Sequence, residues 1–81
     1  MGADIYGVKY RVVFGAITQG QFDFIEKNVY CSDDGTYELS AEKYGELKRK
    51  FKEHDDLKDL LTAFGREIKR GGGHFSFRVF A

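Results

Sequence analysis

Along 5–14 the chain alternates apolar and polar positions, with Tyr6, Val8, Tyr10, Val12 and Phe14 on one side and Gly7, Lys9 and Arg11 between them. A period of two is the pattern of a half-buried strand, and Gly15 is expected to end it. At the far end Phe75, Phe77 and Val79 alternate with His74, Ser76, Arg78 and Phe80, which predicts a second strand. Between these strands the period lengthens. Thr18 followed three residues later by Gln21 has the form of a capping box, opening a helix with Phe22, Ile25 and Val29 on one side. The stretch 18–30 also alternates as Phe22, Phe24 and Tyr30 against Ile25 and Val29, so period alone leaves helix and strand both open there. Ser32-Asp33-Asp34-Gly35 is a turn, and it can close a short hairpin between 29–31 and 36–39.

Ser40 is placed to cap a helix whose Ala41, Tyr44, Leu47 and Phe51 form one apolar stripe. Asp55-Asp56 can cap another, in which Leu57, Leu60, Leu61, Phe64 and Ile68 recur at three and four residues. Lys69 and Arg70 suit the negative end of that helix dipole, and Gly71-Gly72-Gly73 terminates it. Strands at both ends with helices between them predict an α+β fold. The expected form is a small two-layer sandwich, its sheet containing both terminal strands, with two or three helices packed on one face. The span 1–81 reads as a single domain, with no internal repeat.

Composition narrows the function classes. A chain of 81 residues buries only about 60 to 65% of its unfolded surface, so the eight Phe and five Tyr carry much of the core. A lone Cys31 makes no intrachain disulfide, which points to a reducing, cytoplasmic setting. No apolar run approaches the roughly 18 residues that span a bilayer, and the start, Met-Gly-Ala-Asp, is unlike a leader, so no membrane partner is expected. Thirteen Lys and Arg balance thirteen Asp and Glu, removing the broad attraction that drives non-specific nucleic-acid binding.

The candidate motifs resolve mostly into structure. Asp33-Asp34-Gly35 resembles part of an EF-hand calcium loop, but that register puts Tyr30 at the first ligand position and Ala41 at the terminal Glu position, with Glu42 one residue late. Three glycines before a strand have the wrong polarity for a phosphate cradle, which runs from strand into helix. The stretch 70–80 is faintly similar to the aromatic strand of the RNA recognition motif, with Phe75, Phe77 and Phe80 at its ring spacing. His74 replaces the Gly of that pattern and Arg78 its aliphatic residue, and Phe75, Phe77 and Val79 are needed as the inward face of a strand. Cys31, His54 and His74 show no spacing of nucleophile, base and orienting group, nor of metal ligands; Cys31 reads as a small buried side chain. No catalytic residue, cofactor or metal is therefore expected.

The densest charge is Lys48-Arg49-Lys50-Phe51-Lys52. With Arg66, Lys69 and Arg70 it forms a positive ridge if the two helices lie antiparallel, and Arg78 adds a cation from the last strand. The expected function is a small non-enzymatic protein-binding module, an adaptor or inhibitor of the phage or mobile-element kind, acting on another protein or through its own oligomer. Its expected partner-binding residues are Lys48, Arg49, Lys50, Lys52, Arg66, Arg70 and Arg78. The alternative is a nucleic-acid-binding module using the basic helix 48–52 and Arg78.

Overall fold

The computed structural model describes residues 3–7 and 11–80. They form strands β1 (Ala3–Tyr6) and β2 (Val12–Ile17), helix α1 (Gln19–Asn28), strands β3 (Tyr30–Cys31) and β4 (Tyr37–Ser40), helices α2 (Ala41–Lys50) and α3 (Asp55–Arg70), and strand β5 (His74–Phe80). All pairings are antiparallel, and the sheet order is β2-β1-β5-β4-β3. The architecture is α+β, with both terminal strands in one sheet and the three helices packed on one face. β5 holds the sheet together: its first half pairs with β4, from His74 opposite Ser40 to Phe77 opposite Tyr37, and its last residues pair with β1.

The single strand expected over 5–14 is instead a hairpin. Ile5 sits opposite Phe14 and Tyr6 opposite Val12, and the Gly7 amide donates to the Arg11 carbonyl at 2.8 Å. Val8 and Tyr10, expected in that strand, lie outside the described residues. The alternation misleads because turn and strand residues keep the same period across the bend. It also picks the wrong face, since Ile5 is fully buried while Val12 is 50% exposed. Gly15 does not end β2; it lies beside Ala16, where the register with β1 slips by a residue. Ala16 takes φ 54 and its amide is held by Asp4 Oδ1 at 2.8 Å. A bulge absorbs the irregularity, so the strand continues to a buried Ile17.

The segment 18–30 resolves as helix followed by a short strand. Thr18 and Gln21 form the reciprocal capping box, and the buried side chains are Gln21, Phe24 and Ile25, with Phe22 only half-buried. The inward face is rotated from the expected stripe because α1 docks on α3. Gln21 Nε2 donates to the Asp56 carbonyl at 2.8 Å, and the Phe24 ring meets Phe51 edge-on at 4.9 Å. The hairpin of β3 and β4 forms as expected around Gly35 at φ 87.

Ser40 caps α2 by accepting from the Lys43 amide. α3 is capped by position rather than by chemistry: His54 is the N-cap residue and its side chain makes no capping bond, while Asp55 and Asp56 fall inside the first turn. Leu57, Leu60, Leu61, Phe64 and Ile68 are all buried, as their spacing predicts. Phe64 packs on Phe75 and Phe77, at 5.8 and 5.1 Å, and Tyr37 stacks on Phe77 at 5.2 Å, so one run of rings joins helix to sheet.

Candidate functional site: a basic groove between two helices

After Phe51 the chain turns back, and α3 runs past α2 in the opposite direction. Tyr44, near the start of α2, therefore reaches Gly65, in the second half of α3. A Cβ at residue 65 would lie 2.8 Å from the Tyr44 Cζ, so only glycine lets this ring lie against the helix. Beside this contact a groove of about 630 Å³ lies between the two helices.

The groove is lined from α2 and its end by Tyr44, Lys48, Phe51 and Lys52, and from the other side by His54, Lys58, Leu61, Thr62, Gly65, Arg66 and Lys69. Five of these are cations and none is a carboxylate. The ion pairs of the described residues are Arg11 with Glu67, Arg70 with Glu67, His74 with Glu38 and Arg78 with Asp34, so all five groove cations lack an acidic partner there. Lys48 Nζ lies 6.0 Å from the centre of the Tyr44 ring, a contact the ring face favours. Like charges at helical spacing repel by a few tenths of a kcal/mol per pair, and an anion entering the groove would relieve this. Burial pushes the Tyr44 phenol up from its ordinary value, keeping it a neutral hydroxyl.

Of the expected partner-binding residues, the structure brings Lys48, Lys52 and Arg66 together in this groove. Arg49 and Lys50 are exposed on α2 but do not line it; Lys50 Nζ instead lies 5.6 Å from the Phe51 ring centre. Arg70 reaches the buried Glu67 at 3.7 Å, beside Arg11. Arg78 is 3.5 Å from Asp34, at the turn of the β3–β4 hairpin. Sequence reasoning missed Lys58, His54 and Thr62. Their signal was periodic: 54, 58, 62, 65, 66 and 69 recur at helical spacing from the N-cap along one flank of α3, and 44 and 48 do so on α2, with 51 and 52 just past its end.

The other polar cluster lies across β4 and β5. His74 Nε2 is 2.8 Å from Glu38 Oε1 and 3.2 Å from Ser76 Oγ, and Ser76 Oγ donates to the same Glu38 oxygen at 3.0 Å. These bonds, His74 first, hold the Glu38 carboxyl below its ordinary value. One ring nitrogen faces both partners, so the histidine does not bridge serine to carboxylate as a proton relay requires. Cys31 is exposed rather than buried, because it lies on the two-residue edge strand β3. Among the described residues no group of three or more His, Cys, Asp or Glu side chains is placed to hold a metal ion, and no helix is long and apolar enough to cross a membrane.

Fold and groove together define a small α+β domain with a basic, partly apolar cleft between two antiparallel helices. No family model, curated protein or solved structure matches the chain.

Proposed function

We propose that the protein is a non-enzymatic binding module that docks another protein in the groove between α2 and α3. The observation that carries this reading is five cations without acidic partners among the described residues, set around the half-buried rings of Phe51 and Tyr44. Charged walls steer a partner of opposite sign, and an apolar floor supplies the desolvated contact on which affinity depends. The module acts as an adaptor or an inhibitor according to what the docked partner would otherwise bind.

A nucleic-acid partner is the less favoured reading. Duplex binding depends on many phosphate contacts along a basic track, whereas here the unpaired charge is confined to one cleft in a chain of net charge zero. Two amide-resolved NMR titrations test the choice, one with a glutamate-rich peptide containing leucine and one with oligodeoxythymidylate. Peptide-induced shifts at Tyr44, Lys48, Leu61, Gly65 and Lys69, weakened about tenfold by the double substitution Lys48→Glu and Lys69→Glu at low salt, are expected. Absence of peptide shifts in the groove, or tighter binding of the oligonucleotide with a steep salt dependence, would overturn the proposal.

A further inference from the structure

Phe51 and His54 stand side by side in the lining of the groove, with their ring centres 5.2 Å apart and inclined at 65°. The same two residues also border a second hollow of about 240 Å³ on their far side, between α1 and the start of α3. That hollow is bordered by Asp23 and Asp56, with Lys27 as its one basic group. The sign of the surface therefore reverses across the Phe51–His54 ridge, from five cations to a net negative charge.

An anionic partner lying in the groove meets favourable charge up to the ridge and unfavourable charge beyond it. A continuous polyanion gains nothing by continuing along the surface, because like charges brought together oppose binding as strongly as opposite charges favour it. Within the groove, the half-buried rings of Phe51 and Tyr44 offer apolar surface that carboxylates cannot use, with Tyr44 seated against Gly65. We infer that the segment taken by the groove is a short acidic run built around one apolar side chain, and that Asp23 and Asp56 act as an end stop that rejects longer polyanions. This rests on the groove being the docking surface, as proposed above, and deepens it by stating the partner's chemistry and length.

The test uses the full chain and three synthetic peptides: a short glutamate run interrupted by leucine, the same run with serine for leucine, and a longer run of the leucine peptide extended with glutamates. Binding is followed by fluorescence anisotropy at low and physiological salt, on the parent and on the variant carrying both Asp23→Asn and Asp56→Asn. Neither substitution breaks a hydrogen bond that holds the fold. Asp23→Asn keeps a side-chain oxygen to accept from the Gln19 amide, and Gln21 is held by the backbone carbonyl of Asp56, not by its carboxylate. Asp23→Asn alone serves if the double variant melts early. The serine peptide is expected to bind about tenfold more weakly than the leucine peptide. The extension should gain nothing on the parent and about threefold on the variant at low salt. Equal binding of the leucine and serine peptides, or an equal gain from extension on parent and variant, overturns the inference; with groove amides still shifting, the groove remains the docking surface, the first outcome removing only its apolar contribution to affinity. If none of the peptides shifts groove amides in the NMR titration, it is the groove reading that has failed.

Discussion

Asp34 shows how much one side chain can be governed by three neighbours. Ser32 Oγ donates to its carboxylate, the Thr36 amide donates at 3.0 Å, and Arg78 approaches at 3.5 Å. These bonds, Ser32 first, bring its pKa from the ordinary 3.8 to about 2. Because the folded value lies below the unfolded one, the charged carboxylate favours the folded turn. That contribution is complete above roughly pH 4 and is lost as the pH falls through about 2. A carboxyl-carbon NMR titration should place the Asp34 midpoint near 2, with the amides of Ser32 to Thr36 moving in the same window; a midpoint at the ordinary 3.8 would sink the account. Ala16 is the opposite case, a residue obeying its surroundings against its own preference. Left-handed φ costs an L-residue about 1–2 kcal/mol, and the Asp4 carboxylate holds the alanine amide where the bulge needs it.

At the level of elements, the groove depends on how α2 and α3 touch. Tyr44 and Gly65 are an interlocking pair: the ring occupies the space a side chain on α3 would take. Substituting Gly65→Ala raises intrinsic helix propensity by roughly 0.8–1 kcal/mol but displaces Tyr44 from its seat. The two effects oppose each other, so the midpoint of chemical denaturation should move by no more than about 1 kcal/mol in free energy. Binding of the acidic leucine peptide should fall severalfold, because the displaced ring enters the cleft. A variant that keeps full affinity would show that the Tyr44–Gly65 contact does not set the width of the groove.

On the scale of the whole molecule, α3 is the member around which the rest is organised. It packs on β5 and β2 and touches both other helices, and Leu60 and Phe64 are fully shielded. Leu60→Ala should therefore cost about 2–5 kcal/mol, read as a shift of the urea midpoint with unchanged slope; a loss under roughly half a kcal/mol would contradict burial at that position. Glu67 is the one carboxylate in this buried set. Arg11, beside the β1–β2 hairpin, and Arg70, one turn further along α3, neutralise it, so the charge ties the hairpin loop to the helix. Every described side-chain polar atom that is buried has a hydrogen-bond partner, consistent with a core that rests on rings and aliphatics rather than on trapped charge.

Local chemistry was enough to define the capping box at Thr18 and Gln21, the Ser40 cap, the Asp33-Asp34-Gly35 turn, the stripe from Leu57 to Ile68 and the inward Phe75 and Phe77. Each depends on residues within a few positions of one another, so the sequence by itself determined them. It also supplied four of the five basic residues of the groove, Lys48, Lys52, Arg66 and Lys69, but not Lys58. Tertiary structure decided the rest. Alternation has the same period on either side of a tight bend, so only the pairing of Ile5 with Phe14 divides one apparent strand into two. The inward face of α1 was set by its seat on α3, and the fate of each cation by what lay opposite: Arg70 found Glu67, Arg78 found Asp34, and the groove cations found no carboxylate among the described residues. A charge's partners are chosen by distances across the fold, and those distances exist only once the helices have packed.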